Sequence, residues 1–279
     1  MRILITGVNG FVGRNLFHFF GNRGDLVWGT YRSGAAINDQ CYKADLVNEE
    51  DTYRLFNVIL KNKIDVIIHT ASVLAGAGNL KDLSVIFDNA KMAKNISEAI
   101  QKTSIKQLIN FSSSSVYPNA GGTFSEDSEL DPSKNTDCFY GLSKLNVETI
   151  FNYLLEGTNI AVLHLRVGVI YGQGMNTSRL IPILEEELKQ KNTMTLYANG
   201  ERFINQIKIE KLCEYVRRFA EKGAFGIFNV SDEFITAKEI ARRILEEKGN
   251  EASKIILLSQ GNRSNFKLDI TKLKKWLND

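Results

Sequence analysis

Up to residue 167, short apolar runs alternate with longer amphipathic ones. The runs are RILIT at 2–6, LVWGTY at 26–31, VIIHTA at 66–71, QLINFSS at 107–113 and AVLHLRV at 161–167. Their length suits strands, and their near-continuous apolar character suits burial on both faces. The segments between them, at about 11–21, 49–62, 83–102 and 139–156, carry the apolar spacing of helices. This alternation predicts an α/β fold, a parallel sheet covered by helices on both faces.

After VIYGQG at 169–174 the rhythm breaks. The pattern predicts a helix near 178–191, a short TLYANG segment, strands at NQIKI and GIFNV, a helix at about 236–248, then KIILL and a terminal helix. YGQG marks the point where the chain leaves the main sheet for a smaller α/β C-terminal substrate lobe. The expected division is 1–170 plus about 205–230 for the main domain, and about 171–204 plus 231–279 for the lobe. No internal repeat or low-complexity linker interrupts it.

With 279 residues, 43% of them hydrophobic, the chain can bury a full core. RILIT follows Met1 without the marks of a secretory leader, and no apolar segment is long enough to span a bilayer, so a cytoplasmic protein without membrane contact is expected. Cys41, Cys138 and Cys213 lack metal or disulfide spacing and read as small apolar residues. His18, in an apolar helix, and His164, in a strand, read as packed histidines, and no metal is expected. A net charge of +3 argues against a nucleic-acid partner.

ITGVNGFVG places Gly7, Gly10 and Gly13 directly after the first strand and at the opening of the first helix. Glycines there permit a tight turn and close backbone approach to a pyrophosphate held at the positive end of the helix. The context predicts a dinucleotide site. Where an NAD-selective chain ends its second strand on an acidic residue, this one has GTYRS. Arg32 can pair with a 2′-phosphate, which points to NADP, with NAD as the alternative. A plain surface arginine is the competing reading.

Tyr140 and Lys144 stand four residues apart in YGLSK, on one helix face. Alone, the pair is also explained by a packed tyrosine and a solvated lysine. Together with TGVNGFVG, ADL at 44–46, IIHTAS at 67–72, FSSSSVY at 111–117 and LRVGVIYGQG at 165–174, it resembles the extended short-chain dehydrogenase/reductase superfamily, in particular its sugar-nucleotide epimerases, dehydratases and reductases. The resemblance covers essentially the whole chain and implies a Rossmann-type doubly wound sheet.

It also implies roles. Tyr140 would be the general acid/base, and Lys144 would hold the nicotinamide ribose. An ammonium about 5 Å from the phenol would lower its pKa by on the order of two units. Ser113, four residues before Tyr117, would hydrogen-bond the reacting oxygen; Ser112, Ser114 and Ser115 remain alternatives if the serine run is turn chemistry. Phe11 and Val12 would sit with the glycines in the cofactor loop. Asp45 and Leu46 would flank the adenine, and Ala71 and Ser72 the ribose and phosphates. Asp45 also reads as a loop or cap residue.

Dehydration is disfavoured because Ser113-Ser114-Ser115 replaces the Thr-Asp-Glu of the dehydratases. Val169 stands where sugar-nucleotide enzymes often have asparagine, and Ile204 where they have a diphosphate-gripping arginine; Arg179 and Arg202 are the candidate substitutes. Arg32 and the missing acidic residue favour an NADPH-dependent reductase of a nucleotide-linked 4-keto-6-deoxy sugar. A 4-epimerase retaining NAD is the alternative, and a non-catalytic dinucleotide sensor or scaffold the alternative of another class. Pairing through the Tyr140 helix and a neighbouring helix is the homodimer mode that the resemblance implies.

Overall fold

The computed structural model describes residues 1–74, 80–261, 263 and 265–278. The first half runs β1 (Arg2–Thr6), α1 (Phe11–Asn22), β2 (Leu26–Tyr31), β3 (Cys41–Lys43), α2 (Glu49–Asn62), β4 (Val66–His69), α3 (Ser84–Ile100), β5 (Gln107–Ser113), β6 (Gly122–Phe124), α4 (Cys138–Leu154) and β7 (Ala161–Val167). The second half continues with β8 (Val169–Tyr171), α5 (Leu180–Lys191), β9 (Thr193–Leu196), β10 (Phe203–Lys208), α6 (Ile209–Glu221) and β11 (Gly226–Val230). It closes with β12 (Glu233–Thr236), α7 (Ala237–Lys248), β13 (Lys254–Leu257), β14 (Phe266–Leu268) and α8 (Thr271–Asn278).

Seven strands form the main sheet in the order β11-β7-β5-β4-β1-β2-β3, every neighbouring pair parallel. Because side chains alternate along a strand, each buried strand feeds two cores. Ile3 and Ile5 pack with α1 and α6 on one face, while Leu4 packs with α2, α3 and α4 on the other. This is the doubly wound Rossmann-type arrangement. The strand order reverses between β1 and β4, and ligands of such sheets bind beyond the carboxyl ends of the strands at that point.

The smaller lobe holds a three-stranded sheet, β12-β10-β8, and the parallel pair β13-β9. Leu184, Leu188, Met194, Leu196, Ile240 and Ile244 give it a separate apolar core between α5 and α7. β6 and β14 form another parallel pair at the edge of the main body.

Three expectations change. Residues 209–221, to which the apolar pattern assigns no element, form α6. It buries Ile209, Leu212, Cys213, Val216, Phe219 and Ala220, the spacing of a helix face against the sheet. The terminal helix α8, assigned with 231–279 to the lobe, lies instead on the main body, where Leu273 enters the core and Trp276 stacks on Phe219 at 4.4 Å. His18 is exposed, because the buried arc of α1 runs through Gly13, Leu16, Phe17 and Phe20 and leaves position 18 outside. His164 is buried, between Asn110 and Asn152. Among the described residues, no helix is long and apolar enough to cross a membrane.

Candidate active site

The glycine loop follows β1 at the switch point. Gly7 has φ of +76°, and a Cβ there would lie 2.9 Å from the Ala71 backbone. A Cβ on Gly13 would lie 2.3 Å from the Gly7 carbonyl oxygen, so the loop closes this tightly only without side chains. Gly10 is the exposed N-cap of α1 and provides no side-chain cap, and the first turn carries no acidic residue. The amides of Phe11, Val12 and Gly13 thus form an uncapped positive helix end, which fits a dinucleotide pyrophosphate. Phe11 and Val12 are half-buried.

Thr6 orders the next shell. Its hydroxyl accepts from the Ala71 amide at 3.2 Å and meets His69 Nδ1 at 2.8 Å. Burial pushes His69 down to about 3, so the ring is neutral. Ser72 donates to Asn89 Oδ1 at 3.2 Å; Asn89 Nδ2 in turn donates to Ser143, whose hydroxyl donates to the Tyr140 carbonyl. A hydrogen-bonded chain therefore runs from the loop after β4 to the backbone of Tyr140.

Ser113, Tyr140 and Lys144 gather around the carboxyl end of β5. Ser113 ends the strand nearly buried, and its Oγ accepts from the Ser115 amide at 3.1 Å. Gly141, beside Tyr140, presses on the Ser114–Val116 turn, and a Cβ there would lie 2.2 Å from the Ser115 carbonyl oxygen. Lys144 is 4% exposed and donates to the Phe111 carbonyl at 2.9 Å. Its ammonium lies 5.4 Å from the centre of the Tyr140 ring.

The electrostatics differ from expectation. Burial pushes Tyr140 up to about 12; the Arg179 charge pulls the other way and Asp137 adds to the rise. Burial also pushes Lys144 down to about 8, partly offset by Glu148. The phenol is not brought towards neutrality, because desolvation of a phenolate outweighs the attraction of nearby cations.

Among the alternative serines, Ser112 points away from the site and donates to Glu148 Oε1. Glu148 also receives Arg166 through Nε at 3.1 Å and Nη2 at 2.8 Å, with both side chains at most 3% exposed. Arg166 Nη1 reaches the Tyr117 hydroxyl at 3.0 Å, and that hydroxyl contacts Asn229 Oδ1 at 2.8 Å. Asn89, Glu148, Arg166 and Asn229 are not among the residues that the sequence motifs single out. Their signal was a polar residue recurring on an otherwise apolar face, as with Glu148 one turn beyond Lys144.

Other expected residues are arranged differently. Leu46 is turned into the core, 3% exposed, and has no face to lay against an adenine. Asp45 serves its own turn, accepting from the Val47 amide at 3.2 Å. Arg32 is exposed beyond β2. Ile204 packs against the lobe core, Val169 is exposed, and Arg202 is exposed at the edge of the lobe. Arg179, the N-cap of α5, is also exposed, yet its charge acts on Tyr140. Among the described residues, no group of three or more His, Cys, Asp or Glu side chains is placed to hold a metal ion.

Residues 3–231 match the NAD dependent epimerase/dehydratase family. A dTDP-D-glucose 4,6-dehydratase from Dictyostelium discoideum is 23% identical over 88% of this chain, which spans 61% of that protein's length. A dTDP-4-dehydro-6-deoxy-D-allose reductase from Streptomyces bikiniensis is 24% identical over 88% of this chain and 81% of its own. The fold is shared with a UDP-glucuronic acid 4-epimerase from Bacillus cereus, solved with UDP-glucuronic acid and NAD. Its TM-score is 0.83 at 22% identity, covering 100% of this chain and 93% of that one.

Proposed function

The chain belongs to the NAD dependent epimerase/dehydratase family, and within it we propose an NADPH-dependent reductase acting on the 4-keto group of a nucleotide-linked 4-keto-6-deoxy sugar. The observation that carries this reading is the end of β2, which runs out at Tyr31 and Arg32 with no carboxylate where an NAD-selective site has one. Arg32 stands exposed there, able to pair with a 2′-phosphate, which favours an NADP that exchanges at each turnover over a retained NAD. The Tyr140 phenol, pushed up to about 12, is neutral near pH 7 and is the acid a reduction requires.

A dinucleotide held at the glycine loop would supply the hydride. Tyr140 passes its phenolic proton to the carbonyl oxygen, so that ketone, hydride and proton together make the alcohol. Ser113 donates a hydrogen bond to the same oxygen and orients it. Lys144, fixed on the Phe111 carbonyl, would hold the nicotinamide ribose, and its ammonium, 5.4 Å from the Tyr140 ring centre, faces the negative charge left on the phenol as the proton leaves. Arg179 supplies the cation for the substrate diphosphate that Ile204 cannot. Dehydration lacks its carboxylates, since Ser114 and Ser115 occupy their positions. The active unit is a homodimer paired through α3 and α4.

The test begins with the freshly purified protein, denatured and assayed for released dinucleotide, and continues with NADPH turnover of nucleotide-linked keto sugars. Little bound cofactor, or NADP, is expected, with a loss of about 100-fold or more in Tyr140→Phe. Stoichiometric NAD would transfer the assignment to the 4-epimerase. Full turnover in Tyr140→Phe would remove the mechanism, and inactivity with every ketone tried would favour a dinucleotide sensor.

A further inference from the structure

Glu148 has no role in the proton transfer proposed for Tyr140, yet it is buried one turn beyond Lys144 on the same face of α4. Three successive residues at the end of β5 serve these two side chains and the site. The Phe111 carbonyl receives Lys144 Nζ at 2.9 Å, the Ser112 hydroxyl donates to Glu148 Oε1, and Ser113 ends the strand beside Tyr140. From β7, Arg166 donates to the same carboxylate through Nε at 3.1 Å and Nη2 at 2.8 Å. Arg166 is anchored in turn on the Tyr117 hydroxyl at 3.0 Å and the Glu126 carbonyl at 3.2 Å. These partners of Glu148 come from the sheet, so the carboxylate joins α4 to β5 and β7.

Taking a carboxylate and a guanidinium out of water is costly, and apolar side chains of similar size can join a helix to a sheet without that cost. What they do not supply is negative charge beside Lys144. Burial works against the Lys144 ammonium, and Glu148 works for it. The surrounding titratable groups do not replace it. Tyr140, His69 on β4 and His164 on β7 are neutral near pH 7. On α3, which packs on α4, Asp88 is half-buried, and Lys91, Lys94 and Glu98 are exposed. In the 132–134 turn against α4, Lys134 is exposed and pairs with Asp131. Asp137 and Arg179 act on Tyr140.

We propose that Glu148 is a positioning residue of the reaction: it is the buried counter-ion that keeps Lys144 a cation, and through Ser112 it holds Ser113 in register with α4. This rests on the redox reading above and deepens it. Glu148 would touch neither cofactor nor sugar and would act through Lys144 and Ser113. Arg166 orients the carboxylate from behind, and the adjacency of Phe111, Ser112 and Ser113 on one strand makes a single clamp set both groups of the site.

The Lys144 titration can be read directly by NMR on the intact protein with lysine isotopically labelled at Cε, the signal being identified by its loss in Lys144→Met. Wild type is expected to titrate at about 8. Glu148→Gln combined with Arg166→Met, which leaves no stranded charge, is expected to lower that midpoint by about one pH unit or more, and Glu148→Asp, which keeps the charge, to hold it within about half a unit. A purely structural role would leave the folded double variant titrating as wild type does. Ser112→Ala, the mildest change, is expected to keep the midpoint and lower kcat about threefold or more through lost register. An unchanged midpoint in the double variant, an equal fall in Glu148→Asp, or full kcat in Ser112→Ala would each overturn the proposal. No substrate enters the NMR titration, so a wild type inactive with every keto sugar counts against the proposed reaction and leaves the Lys144 midpoint to judge Glu148.

Discussion

Lys144 is the residue whose protonation is most exposed to test. A buried ammonium pushed down to about 8 is charged below that pH and neutral above it. If the ammonium is required, kcat/KM for ketone reduction holds level up to about pH 8 and then falls about tenfold per pH unit. The Tyr140 limb lies far higher, near 12, and does not enter the profile. A profile level to pH 10 would show that Lys144 is not needed as a cation or that cofactor binding raises its pKa. Tyr140 and Lys144 were legible in the sequence because four-residue spacing fixes a shared helix face. Their ionisation was not, since it depends on desolvation by segments remote in sequence, and the simple Coulomb argument gave the wrong sign for Tyr140.

At the scale of elements, α4 is joined to β5 and β7 by polar contacts inside an apolar layer. Lys144 bonds the Phe111 carbonyl, Ser112 bonds Glu148, and Glu148 pairs with Arg166 of β7. Removing one partner strands a buried charge, at a cost of about 3–5 kcal/mol. Glu148→Gln should therefore lower urea-unfolding stability by about that amount, and adding Arg166→Met should recover part of it. A loss under 1 kcal/mol in Glu148→Gln would mean that water or another group compensates the arginine. The strands and helices of the first half were visible because their apolar spacing is local. The helix α6 has equally regular spacing, at 209, 212, 213, 216, 219 and 220, but follows β10 without a break, so no turn signal marks its start. The pairing of β6 with β14 had no local signal, since register between distant short strands is set by tertiary contacts.

For the whole molecule, α3 and α4 pack side by side and leave Phe87 64% and Tyr153 77% exposed on their outer surfaces. In the homodimer proposed above, a second copy of the same helix pair would cover both rings. Sedimentation of the wild type is expected to give a dimer, and Phe87→Asp combined with Tyr153→Asp a monomer that remains folded. A monomeric wild type would discard this pairing. The main sheet was legible as a layer architecture, whereas the placement of α8 on the main body was not, because Trp276 finds Phe219 only once α6 exists as a helix.

The parallel pair β6–β14 also has a consequence in time. Asn229 bonds the carbonyls of both Phe124 and Asp269, tying the loop beside the Ser113 turn to a segment made far later. At ribosomal speeds, residues 266–268 emerge roughly 7 to 30 s after residues 122–124. Throughout that interval the nascent chain can already possess its glycine loop and first strands while the wall behind Tyr117 is unfinished. A growing chain thus completes the glycine loop and the first strands well before it makes the segment that finishes the wall behind Tyr117.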